Sequence, residues 1–229
     1  MSDEGSSGRK IRSNRTFGPA NAEGLMHLNA CVGFNGGPHN LFDYASYFHL
    51  AADALVAIVT TRAGGEFATA IPTIMLDEAV YPAALCYRHA FETYLKAVIE
   101  LARAQRGEDG APTGHRLDKL TETALIEIDG CSFLDVTPDE RALLRSLAED
   151  CAEIDPTGET FRYPFTKGSR YILAGWSVIN LPKMRERFHE GLSVLERFYN
   201  EREDAMHDGE AFVLPSSWFP SRTDGGDET

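Results

Sequence analysis

Two arginine-centred patterns in this chain carry the residue types of phosphate chemistry. Arg202-Glu203-Asp204-Ala205-Met206-His207 sets an arginine and a histidine five positions apart. In metal-free phosphoryl chemistry an imidazole takes or gives the proton while a guanidinium neutralises the phosphate. On an ideal helix the two side chains project roughly 140° apart, so their convergence calls for a distorted helix end or a second subunit. The second pattern is Arg88, followed one helical turn later by Glu92. Such a pair beside an apolar stripe either closes on itself as an ion pair or presents its guanidinium to a phosphate or carboxylate. Arg162 stands inside Phe161-Arg162-Tyr163-Pro164. It offers stacking plus a cation to a nucleotide, or pins a loop onto the core through its aliphatic stem. Arg88, Arg162 and Lys167 together form a candidate phosphate or nucleotide site.

The elements that must position these residues read as helices. Leu41, Tyr44, Phe48, Ala52, Leu55 and Val59 recur at three- and four-residue steps, predicting a first long amphipathic helix. The turn before it, Gly33 to Pro38, lacks the Lys and Ser/Thr of a phosphate-binding P-loop. A second helix is expected from about Leu76 to Arg103. Its apolar seam is Val80, Ala84, Tyr87, Phe91, Tyr94 and Val98, with Leu85, Arg88, Glu92, Leu95 and Ile99 alongside. A shorter helix starts near His115. Thr137-Pro138-Asp139-Glu140 has the form of a capping box with proline at the first helical position and opens a helix through Leu143, Leu144 and Leu147. Asp155 to Pro164 is too rich in turn residues to be helical. Asn180 caps a last helix with Leu181, Met184, Phe188, Leu192, Leu195, Tyr199 and Met206 on its apolar positions. Strand alternation is limited to Tyr171-Ile172-Leu173. The fold class expected is all-α, a helical bundle spanning 25–210 between flexible tails at 1–24 and 211–229.

Composition narrows the function classes. The formal net charge of −13 disfavours nonspecific attraction to nucleic acid. Charge is distributed unevenly, however: 160–202 holds eight Lys or Arg against four Glu, whereas 203–229 holds seven Asp or Glu against one Arg. No apolar run reaches membrane-spanning or signal-peptide length, so a cytoplasmic protein without a membrane role is expected. Cys31, Cys86, Cys131 and Cys151 show no zinc-type spacing and read as reduced thiols. No His-Glu-x-x-His cluster and no Gly-x-Ser-x-Gly elbow occurs. The sequence therefore supports neither a metal nor any other cofactor.

The run Tyr87-Arg88-His89-x-x-Glu92-x-x-Leu95-Lys96-Ala97-x-Ile99, followed by Gly114-His115-x-Leu117-x-Lys119-Leu120, resembles the HEPN superfamily, the higher-eukaryote and prokaryote nucleotide-binding helical domains. The resemblance implies an all-α bundle, a homodimer, and a place among RNA-targeting toxins and bacterial antiviral defence systems. Active members of that group are metal-independent endoribonucleases with an Arg-x4–6-His motif. By this resemblance Arg202 is a phosphate clamp and His207 a general acid and base. The alternative is a noncatalytic interaction module that binds a partner protein or senses a nucleotide.

Overall fold

The computed structural model describes residues 40–64, 74–108, 110, 112–131, 135–165 and 168–207, without the side chains of 61–64, 74–75, 199 and 202–207. The chain divides into two units, Met1–Pro38 and His39–Thr229, and every described residue belongs to the second. Both expected tails, the Gly33–Pro38 turn, Cys31 and Lys167 lie outside the described residues.

The described residues form five helices and no strand: α1 (Leu41–Gly64), α2 (Ile74–Gln105), α3 (Leu117–Asp129), α4 (Pro138–Ile154) and α5 (Leu181–His207). The alternation at 171–173 comes to one isolated bridge between Phe165 and Tyr171. Local signals set the helix starts. Thr137 and Glu140 cap reciprocally, the Glu140 amide donating to Thr137 Oγ1 at 3.3 Å and the Thr137 amide to Glu140 Oε2 at 2.9 Å. Asn180 Oδ1 accepts from the Lys183 amide at 2.9 Å, capping α5 as its residue type predicts. A second reciprocal cap, Asn40 with Asp43, opens α1 and went unread in the sequence.

Helix α2 is the centre of the bundle, packing against α1, α3 and α5, while α4 lies against α3 and α5. Tyr87, Phe91, Tyr94, Leu95, Ile99 and Leu101 are fully enclosed, and Ala83, Ala90 and Ala97 are buried with them. Tyr87 stacks on Phe188 of α5 with ring centres 5.0 Å apart, which ties the two helices at mid-bundle. The predicted face of α1 is rotated in the structure. Phe42, Ala45, His49, Ala52, Val56 and Val59 are buried, whereas Tyr44 is exposed and Leu41, Phe48 and Leu55 are only partly covered. Apolar residues surround this helix, so periodicity alone leaves its buried face underdetermined. His49 faces inward because Glu196 of α5 supplies a partner 3.1 Å from its Nδ1.

Glu140 does more than cap α4. Its carboxylate also accepts from Arg197 Nη1 of α5 at 2.6 Å. The Arg197 hydrogen bond outweighs partial burial and holds this carboxyl at about 2. Its folded value lies below the ordinary carboxylate range, so its contribution is complete above that range and is lost as pH falls toward 2. Acid titration followed by helical circular dichroism is expected to show a shallower loss of stability below pH 5 in Glu140→Gln than in the parent. Thr137→Ala is expected to cost about 1 kcal/mol at neutral pH.

Candidate functional site

The Arg88–Glu92 pair is observed as a closed ion pair. Arg88 sits on α2 with its side chain 6% exposed, and Nη1 donates to Glu92 Oε2 at 3.0 Å. Nη2 donates to the His115 carbonyl at 2.9 Å. Nε lies 3.0 Å from Asp155 Oδ2, a charge contact without hydrogen-bond geometry, because Oδ2 has no donor aimed at it. The other oxygen, Asp155 Oδ1, accepts from the amides of Gly158 and Thr160 at 2.8 and 3.0 Å. One guanidinium therefore fixes three segments: its own helix, the approach to α3, and the turn after α4.

Glu92 has a second role on the outer side of this knot. Its Oε1 accepts from Lys96 Nζ and from His115 Nδ1, each at 2.8 Å. Burial raises the Glu92 carboxyl, but the Lys96 and His115 hydrogen bonds more than offset this and hold it below the usual range. Ionised Glu92 accepts a hydrogen bond from His115 Nδ1–H, and in the neutral imidazole the lone pair then stands on Nε2. The His115 side chain is 70% exposed, so that lone pair is open to solvent. His115, Arg103, Arg116 and Lys119 line a cavity of about 530 Å³ beside α3. Arg103 and Arg116 are paired with Glu127 and Asp118. The sequence placed His115 in a helix-start motif and gave it no chemistry; the signal missed is Glu92, a buried acid one loop away.

The turn that Arg88 holds leads directly into Phe161-Arg162-Tyr163-Pro164. The amides of Arg162 and Tyr163 both donate to the Glu159 carbonyl, which curls this segment back toward the start of α2. Arg162 is exposed, its guanidinium carbon 5.4 Å from the centre of the Tyr163 ring. Arg162 and Tyr163 line a groove of about 1070 Å³ with Tyr81, Tyr171 and Trp176. All four aromatics are exposed. This volume exceeds the roughly 300–1,000 Å³ common for small-ligand pockets.

Of the residues singled out in the sequence, the structure separates Arg88 from Arg162 by role: the first is enclosed among protein acceptors, the second is open in a groove. Arg202 and His207 are on the last two turns of α5, with side chains outside the described residues. Cys86, Cys131 and Cys151 are free thiols, and burial pushes Cys151 up to about 12. Although the sequence shows no ligand spacing, the fold gathers His49, Asp53 and His189 into a group with metal-ligating donors. No helix among the described residues is long and apolar enough to cross a membrane. Comparison with protein-family models, with curated proteins and with solved structures returned no match to this chain.

Proposed function

We propose that this chain is an RNA-binding helical protein of HEPN-like type, serving in a bacterial defence or toxin system. The observation that carries the reading is the aromatic groove containing Arg162. Bases stack on exposed aromatic rings whatever their identity, and a neighbouring guanidinium takes the phosphate between them. Four exposed rings and a cation in one groove supply both parts. The groove walls come largely from 160–182, within the stretch where basic residues outnumber acidic ones, which offsets locally the acidic balance of the chain. Its size suits a short single strand better than one nucleotide. In this reading Arg88 is a positioning residue that fixes the turn carrying Arg162.

The catalytic part of the proposal is metal-independent cleavage by Arg202 and His207 at the end of α5, in a homodimer that supplies the convergence one helix denies them. Labelled single-stranded RNA, titrated at low salt in EDTA, tests the binding. Arg162→Ala and Trp176→Ala are each expected to weaken it by the equivalent of about 1–3 kcal/mol, the usual worth of one stacked base. Arg162→Ala is also expected to make log affinity less steep in log salt by about one. Failure of the parent protein to retain RNA at low salt sinks the reading. Incubation with structured RNA in EDTA tests the cleavage, which is expected in the parent and absent in His207→Ala. Binding without cleavage would remove the catalytic part and leave an RNA-binding protein.

A further inference from the structure

Helices α1 and α5 bring together three side chains whose chemistry the RNA reading does not use. His49, Asp53 and His189 each offer one donor atom, and these atoms all lie within 4.8 Å of one another. We propose that His49 Nε2, Asp53 Oδ2 and an imidazole nitrogen of His189 bind a divalent first-row transition cation of the zinc class.

The case rests on how each donor is held. The His49 side chain is 10% exposed, and its Nε2 is buried with no hydrogen-bond partner. Buried polar nitrogens are ordinarily satisfied, so an orphan of this kind calls for an occupant. The opposite nitrogen, Nδ1, is 3.1 Å from Glu196 Oε1, and that oxygen also accepts from the Tyr94 hydroxyl at 2.6 Å. Donation from Nδ1 to this carboxylate puts the lone pair on Nε2, the arrangement by which a carboxylate orients a metal-binding imidazole.

Asp53 is divided in the same manner. Its Oδ1 accepts from the Tyr87 hydroxyl at 2.6 Å and from Arg185 Nε at 3.1 Å. Its Oδ2 is left 3.9 Å from His49 Nε2, beyond hydrogen-bonding distance. His189 enters from α5 with its ring centre 5.9 Å from that of His49, and its exposure gives a cation a way in from solvent.

The donor set discriminates among cations. Two imidazoles and one carboxylate suit zinc, cobalt or iron(II), whereas magnesium and calcium prefer oxygen cages. Bonds of about 2.0–2.2 Å around zinc require the donors to draw in by roughly an ångström, to which rotation of exposed His189 and a small approach of His49 and Asp53 both contribute. Asp53 and Glu196 bring two negative charges against Arg185, which sits on the far oxygen of Asp53 and is 45% exposed. A dication thus meets a site of net negative charge. Three protein ligands leave a coordination position for water or an anion.

Cobalt(II) is the probe, because its visible absorption reports coordination directly. The untagged full chain, stripped with EDTA and dialysed free of it, is expected to take up one equivalent of cobalt with visible bands and to lose them when zinc is added. Glu196→Gln is expected to weaken binding roughly 10–100-fold, as loss of an orienting partner does, and His189→Ala by more than that. His189 is exposed, so this variant keeps the fold, and helical circular dichroism verifies it. His115→Ala is expected to bind cobalt as the parent does. An absence of visible bands in the parent, or unchanged binding by His189→Ala, overturns the proposal. Neither result bears on RNA binding in EDTA, so the two ideas fail separately.

Discussion

Arg88→Ala is expected to lower the free energy of unfolding by about 3–5 kcal/mol, the cost of removing one partner from a buried ion pair. The intact knot is in rough balance: desolvating one guanidinium and two carboxylates is offset by their mutual attraction and by directed hydrogen bonds. Removing the guanidinium leaves Glu92 with Lys96 and His115 on one oxygen and nothing on the other. It leaves buried Asp155 with two amides and no counter-charge. A domain of ordinary stability has only about 5–15 kcal/mol in total. Arg88→Lys is expected to recover little, because a single ammonium cannot reach Glu92, the His115 carbonyl and Asp155 together as the planar fork does. Urea denaturation of the purified variants measures this; a loss under about 1 kcal/mol would show that the enclosed pair is dispensable. Because the same guanidinium holds the turn before Arg162, the RNA binding proposed for that groove is expected to fall with it even under conditions where the variant remains folded.

Gly158→Ala is the second large effect, and its size depends on Arg88. Gly158 has φ +81°, a left-handed conformation that costs a residue with a Cβ roughly 1–2 kcal/mol. A Cβ there would lie 2.9 Å from Arg88 Nη1 and 3.2 Å from Cζ. The guanidinium has no room to yield, being held by Glu92, His115 and Asp155, so overpacking adds about 1–3 kcal/mol. The sum is roughly 2–5 kcal/mol in the parent. With Arg88→Ala already present the clash disappears, and the same substitution should cost only the backbone term of about 1–2 kcal/mol. A double-mutant cycle reads the difference, expected between about 1 and 3 kcal/mol. Strict additivity would mean that Gly158 and Arg88 do not share the packing described here.

Much of the helical frame is legible without coordinates, because its signals are local. Thr137-Pro138-Asp139-Glu140 and Asn180 satisfy orphan amides within their own first turns, so residue type and spacing suffice to find α4 and α5. The stripe from Val80 to Val98 marks α2 for the same reason, although the extent of its burial exceeds one face: Arg88, Glu92, Thr93 and Glu100 are buried with it. A helix enclosed on several sides needs partners for its polar residues, and the sequence does not say where those partners are.

Tertiary structure alone supplies them. Arg88 Nε donates to the backbone carbonyl of Asp155, 67 residues away, and Nη2 to that of His115, 27 residues away. The face of α1 that is buried follows from Glu196, 147 residues beyond His49, since an imidazole enters a core only where a partner waits. The candidate cation site has the same origin: His49 and Asp53 are one turn apart on α1, yet His189 joins them only when α5 packs against α1. The Arg162 groove likewise needs Tyr81 from α2 and Trp176 from the segment before α5. Helix caps and apolar periods are written within a few residues because they satisfy hydrogen bonds and bury surface within a turn or two. Sites built from charges are decided by the whole bundle, since the cost of enclosing a charge is met only by a counter-charge that folding carries to it from afar.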